Sequence, residues 1–295
     1  MSLLKFQMGI LIWSVFGAFI TMTYSSNAQE PISLVDTKDV EMVFVPGGNF
    51  IRGTDVDNLV QICRDTYTDQ YNSDCSDIVF SGLYQITEPE DLFVNGFYMD
   101  KYEVSIDSYI GCIEADVCDP FSIENIYQSY IVNPDIPTNL PVTEVTYYDA
   151  AIYCAWRGGR LPTTTEWEYA ASGQDNRLFP WGDDITEVPA NHCDTNCSLQ
   201  SNSTYDDGFR ELAPAISFED GESWAGIYNL SGNVSEWTST RSFSGTDITR
   251  NIRLTKGGSY YSPIFALSIW FSAPAEVDDR LDTNGFRCVR TTDLP

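Results

Sequence analysis

The chain has 295 residues, 43% hydrophobic and 14% aromatic, enough to bury a sizeable core in one large domain or two small ones. Sixteen basic against 43 acidic residues leave a net charge of −27, a field that repels phosphates and anionic membrane surfaces and argues against nucleic-acid binding. The same acidity suits a protein that holds divalent cations or works in a salty exterior, and equally a merely solvated acidic surface.

Residues 1–28 read as a secretory signal peptide. Lys5 gives a thin positive start, Met8 to Ile20 is apolar except for Ser14, and Ser26-Asn27-Ala28 ends in a small residue. The run falls short of the about 20 residues a membrane span needs, and no later stretch approaches that length, so no span is expected in the mature chain. All eight cysteines follow it, an even number that fits disulfides in a secreted, periplasmic or other extracytoplasmic setting. Three pairs are close in sequence: Cys63 with Cys75, Cys112 with Cys118, and Cys193 with Cys197, each closing a small loop. Cys154 and Cys288 are left over and lie far apart. A zinc cluster is the alternative for His192, Cys193 and Cys197, although no convincing fourth ligand accompanies them.

In chain order, residues 29–39 form a polar leader expected to be mobile. Met42 to Phe50 reads as strand, Pro-Gly-Gly turn, strand. Residues 54–92, rich in Asp, Asn, Ser and Tyr and without a helical stripe, read as a long loop insertion held by a cysteine pair. Val94 to Tyr98 resumes a strand, and Ser105 caps a short helix ending near Cys112. Loop is expected from there to Pro141. Thr146 and Asp149 cap a helix whose Tyr148, Ala151, Ile152, Ala155 and Trp156 form one buried stripe, with Cys154 off it and Gly158-Gly159 as the stop. Thr163 and Glu166 form a second capping box, after which Trp167, Ala170 and Ala171 face inward until Gly173.

Gly226 to Thr238 joins turn chemistry (Asn229, Ser231, Gly232, Asn233) to an alternating strand ending Glu236-Trp237. Carbonyls at Ser231, Gly232 and Val234 with the Glu236 carboxylate make an oxygen-only set of the kind calcium prefers; the plainer reading is a turn and a strand whose Glu faces water. Asn196, Asn202, Asn229 and Asn233 each begin an N-x-Ser/Thr sequon, which matters only in a host that glycosylates secreted proteins. His192 is the only histidine, so neither a His-based triad nor a multi-histidine iron centre can be assembled.

Six motifs in order carry a family resemblance: Met42-Val43-Phe44-Val45-Pro46-Gly47-Gly48-Asn49-Phe50, Arg160-Leu161-Pro162-Thr163 with Glu166-Trp167-Glu168-Tyr169-Ala170, Phe179-Pro180-Trp181-Gly182, the Gly226–Thr238 stretch, Lys256-Gly257-Gly258-Ser259-Tyr260, and Gly285-Phe286-Arg287-Cys288. In that order the chain resembles the formylglycine-generating enzymes, or sulfatase-modifying factors. The resemblance implies an α+β fold with much irregular chain, supported by disulfides and remotely like C-type lectins, in one domain over residues 40–290 with a tail at 291–295. It implies a Cys154–Cys288 disulfide. It also implies a calcium site built from Asn191, the His192 carbonyl, Asp207 and the Phe209 carbonyl, and a second at Ser231, Gly232, Val234 and Glu236.

Family enzymes oxidise a client sulfatase cysteine to formylglycine with oxygen and a copper(I) ion held by two cysteines after the Gly-Gly-Ser motif. Those positions are Ser262 and Leu267 here, and neither offers the soft thiolate that copper(I) demands. Ser259 stays, whereas Thr283 replaces an Asn before Gly-Phe-Arg-Cys. The expectation is a secreted, calcium-stabilised, non-catalytic module that binds a peptide or glycan or serves a structural role. The apolar stretch Tyr260 to Phe271 either lines its groove or is a core strand. The alternative is an oxidoreductase that makes formylglycine through a rearranged site, and copper retention separates the two.

Overall fold

The structure, a computed structural model, describes residues 32–66, 75–76, 89–133, 137–197, 205–242 and 251–292. The signal-peptide segment lies outside them, as does Asn202. Strands form where apolar side chains alternate. β2 (Glu41–Val45) buries Met42, Val43 and Val45 and is joined by Pro46-Gly47 to β3 (Gly48–Arg52), which buries Phe50. β4 (Glu90–Val94) pairs antiparallel with β3 in a two-stranded sheet, and β5 (Phe97–Asp100) turns back onto β2.

The leader is not free chain. Ser33–Val35 forms β1 on β2, because Asp36 is pulled inward to Arg157, whose guanidinium also grips Asp100 at 2.7 Å. The first four-stranded sheet therefore runs β1-β2-β5-β10, with β10 spanning Val289–Thr291. The second runs β8-β7-β6-β9, with β6 Ser235–Arg241, β7 Ile252–Lys256, β8 Ser272–Glu276 and β9 Asn284–Gly285, the last parallel to β6.

The insertion begins as a helix, against the expectation of loop. α1 (Val56–Thr66) buries Leu59, Val60, Ile62 and Cys63 in a cluster with Phe265, Leu267 and Phe271. Its apolar face is short and flanked by polar residues, so the sequence around it reads as loop. Further along, α2 (Ile106–Glu114) starts at Ser105, whose hydroxyl accepts from the Ser108 amide. A 3-10 turn and α3 (Glu124–Val132) occupy chain expected to be loop up to Pro141.

α4 (Tyr147–Trp156) and α5 (Thr164–Ser172) start at the two expected capping boxes, and Gly173 ends α5 at φ 63°. The buried face of α4 differs from the expected stripe. Tyr148 and Ile152 are each 46% exposed, while Ala150, Tyr153 and Cys154 face the core. Tyr153 stacks on Tyr109 at 5.6 Å and Cys154 is tied to Cys288, and these tertiary ties set the helix rotation. Tyr260 to Phe271 is no core strand: it holds a 3-10 turn, Ile264–Leu267, with Phe265, Ala266, Leu267, Ile269, Trp270 and Phe271 buried.

All eight cysteines are paired as Cys63–Cys75, Cys112–Cys118, Cys154–Cys288 and Cys193–Cys197. The Cys193–Cys197 bond removes both thiolates that a zinc cluster would need. Among the described residues, no helix is long and apolar enough to cross a membrane.

Candidate functional site

The loop before β6 is shaped by residues that tolerate left-handed backbone. Asn229, Gly232 and Asn233 all have positive φ, and a Cβ at Gly232 would stand 2.2 Å from the Asn191 carbonyl oxygen. That close approach brings the Ser231–Glu236 segment against the Asn191 segment. The two Asn side chains point inward. Both amides donate to Glu103 Oε2, at 3.0 Å from Asn229 and 3.1 Å from Asn233, and Asn233 Oδ1 accepts from Asn191 Nδ2 at 3.0 Å. Buried in this way, neither sequon can carry a glycan in the folded chain. Asn196 is the described sequon on the surface.

The Glu236 carboxylate is held by protein donors. Its Oε1 accepts from Arg287 Nε and Nη2 at 2.9 and 2.6 Å, and its Oε2 accepts from Arg287 Nε and Trp167 Nε1, both at 2.8 Å. A carboxylate has about four lone-pair positions, and four donor contacts fill them. Arg287 also donates to the carbonyls of Asp100, Lys101 and Tyr228, so this fully buried pair joins three segments of chain. The carbonyl-bearing residues Ser231, Gly232 and Val234 are buried nearby, and the Ser231 hydroxyl donates to the Leu267 carbonyl at 2.7 Å.

The set around Asn191 has a different character. Asn191 donates from Nδ2 to the Glu211 carbonyl, while its Oδ1 is buried without a hydrogen-bond partner. Asp207 accepts from the backbone amides of His192 and Phe209, at 3.0 and 2.8 Å. Burial pushes the Asp207 carboxyl up and the neighbouring Asp194 adds to the push, opposed by those two amides. Asp194 and Asp206, which the sequence reading passed over, join Asp207 so that one carboxylate oxygen from each lies within 4.8 Å of the others. Asp194 lies inside the Cys193–Cys197 loop, and its one sequence signal is its place between two cysteines, since Asp206 and Asp207 reach it only through the fold. An orphaned amide oxygen and a desolvated acid fit a hard cation.

Ser262 and Leu267 part company. Ser262 lines a cavity of about 420 Å³, where its hydroxyl stands 3.3 Å from the Ser259 hydroxyl and accepts from the Ser259 amide at 2.9 Å. Among the described residues no charged side chain lines that cavity; Phe265, Phe271, Pro263 and Thr283 are among its walls. Leu267 is buried in the apolar cluster around α1. With every cysteine in a disulfide, no thiolate is present to hold copper(I), so the residues here do not fit that ion.

A family model described as the sulfatase-modifying factor enzyme 1-like domain matches residues 28–292. The chain belongs to this family. Among curated relatives, the formylglycine-generating enzyme of Mus musculus is 33% identical over 216 residues, which is 57% of this chain and 58% of that protein. The inactive C-alpha-formylglycine-generating enzyme 2 of Mus musculus is 34% identical over 163 residues, 53% of this chain and 51% of that protein. The matches thus span little more than half the length of these relatives. Among solved structures, PvdO from Pseudomonas aeruginosa superposes with a TM-score of 0.59 at 18% identity, covering 90% of this chain and 100% of that one. Treponema denticola variable protein 1 gives 0.56 at 15% identity, covering 88% and 98%. These likenesses establish the α+β fold of sulfatase-modifying-factor-like domains.

Proposed function

We propose that this sulfatase-modifying-factor-like chain is a secreted, calcium-stabilised binding module that has lost formylglycine-forming chemistry. The observation that carries the proposal is the donor set: a hydroxyl at Ser262, an isobutyl group at Leu267 and no free thiol. Oxygen activation on copper(I) in this family depends on thiolates, and none can be recruited from four closed disulfides. The similarity to a relative named as inactive supports the same reading.

Four disulfides in one chain support export to an oxidising compartment. Calcium would be held by Asn191 Oδ1, the Asp207 carboxylate and the carbonyls of His192 and Phe209, with Asp194 and Asp206 adding charge. Bound there, the ion would tie the Cys193–Cys197 loop to the loop before β6. The uncharged cavity beside Ser262 is where a peptide or glycan would dock, through its hydroxyls and apolar walls.

The test is copper(I) titration of the purified protein followed by oxygen uptake with a cysteine-bearing sulfatase peptide. No stoichiometric copper and no peptide-dependent oxygen consumption is the expected result. Copper uptake with oxygen consumption would instead establish an oxidoreductase with a rearranged site.

A further inference from the structure

A second cavity, of about 500 Å³, shares no lining residue with the one beside Ser262. It is framed by the β1–β2 turn, the chain from Tyr102 to the start of α2, Tyr153 of α4 and the segment around Ala215. Among the described residues, four carboxylates belong to its wall, Asp39, Glu41, Glu103 and Asp107, with the rings of Tyr102 and Tyr153 and no Lys or Arg. Its size lies within the range of small-molecule sites.

Two buried polar atoms in this wall lack partners. Glu103 is 3% exposed; its Oε2 takes both Asn amides, and its Oε1 has no hydrogen bond. Tyr153 is fully buried, and its hydroxyl, near Ser108, forms no well-made hydrogen bond. An uncompensated buried carboxylate oxygen costs free energy that a donor-bearing cation would recover. The carboxylates do not converge as metal ligands do, since among the described residues only Asp194, Asp206 and Asp207 bring three such oxygens together. The rim already accommodates an ammonium group: Lys101 Nζ pairs with Glu41 at 3.1 Å and lies 5.5 Å from the Tyr102 ring.

We propose that this cavity binds the protonated amine of a linear aliphatic chain, with Glu103 as its buried anchor, the tyrosine rings against its methylenes and Asp107 at the mouth. The amine belongs to a free diamine or to a lysine side chain of a partner. Burial pushes the Glu103 carboxyl up to about 8, opposed by the Arg287 guanidinium and reinforced by the Glu236 carboxylate behind it. Near neutral pH the empty site therefore holds a proton that an entering ammonium displaces. The other charged groups facing the cavity are Asp39, Glu41 with Lys101, and Asp107.

Isothermal titration calorimetry of the purified protein in about 0.15 M salt, in two buffers of different ionisation enthalpy, tests this. The probes are the diamine cadaverine, the amide-capped peptide Gly-Lys-Gly, tetramethylammonium and calcium chloride. The expected result is saturable binding of cadaverine or the peptide with proton release, no comparable binding of tetramethylammonium, and affinity lowered at least about tenfold by Glu103→Gln. Cadaverine alone points to a free amine and the peptide alone to a lysine side chain. Asp107→Asn, at an exposed position, should weaken binding several-fold, and with the proton release it decides the matter if Glu103→Gln does not fold. The proposal is overturned by no saturable amine binding, by tetramethylammonium binding equally, by an unchanged affinity in the variants, or by calcium displacing the amine one for one.

Discussion

Arg287 and Glu236 show how one side chain's role is decided by another far along the chain. Their pairing crosses 51 residues of sequence and is wholly buried, so each charge depends on the other for compensation. Glu236→Gln leaves the guanidinium with a neutral partner and should lower stability by about 3 to 5 kcal/mol in urea unfolding. Glu103 makes a second prediction, on pH. Its carboxyl rises from 4.5 to about 8 through burial. Below pH 4.5 it is protonated folded or unfolded, and no cost arises. Between 4.5 and 8 the unfolded chain releases a proton that the folded chain keeps, so this group's contribution falls as pH rises, by up to about 1.4 kcal/mol per unit. Glu103→Gln should be stabilising relative to the parent at pH 8 and nearly neutral at pH 4.5; an unchanged difference across that window would contradict the assignment. Neither residue was legible from its own neighbours. Glu236 reads as a ligand because its strand shows only Trp237 and turn residues beside it, while Trp167 and Arg287 arrive through the fold.

Elements were legible where their signals are local. A capping box lies within four consecutive residues, and both Thr146–Asp149 and Thr163–Glu166 close as read. Thr163→Ala removes the acceptor of the Glu166 amide at 3.1 Å and should cost about 1 kcal/mol, seen as a lower melting temperature without loss of fold. The face that α4 buries was not legible, because hydrophobicity favoured Tyr148 and Ile152 while the Cys154–Cys288 bond and the Tyr109 stack turn Cys154 and Tyr153 inward. α1 was missed for a related reason. Its four buried residues matter only against Phe265 and Leu267, some 200 positions later. The Lys256-Gly257-Gly258-Ser259 motif, which enters the sequence analysis only through the family resemblance, is a turn of special backbone: Gly257 and Gly258 have φ of 90° and 68°, and a Cβ on Gly258 would meet the Ala266 carbonyl oxygen at 2.8 Å.

For the whole molecule, long-range closure competes with charge repulsion. The Cys154–Cys288 bond spans 134 residues and, in the chain-entropy model, contributes about 5 kcal/mol, against about 2 for the four-residue Cys193–Cys197 loop. A net charge of −27 works the other way, through self-repulsion that any salt relieves. A calcium effect must therefore be separated from simple screening. Calcium held at Asn191 and Asp207 at 100 times its dissociation constant would add about 2.7 kcal/mol. Melting temperature should rise with calcium beyond the rise given by sodium at equal ionic strength. That increment should vanish in Asp207→Asn and persist in Glu236→Gln, whose parent carboxylate is already filled by Arg287 and Trp167. Persistence in the first variant, or loss in the second alone, would move the ion to the loop before β6 and undo the placement argued from the orphaned Asn191 oxygen.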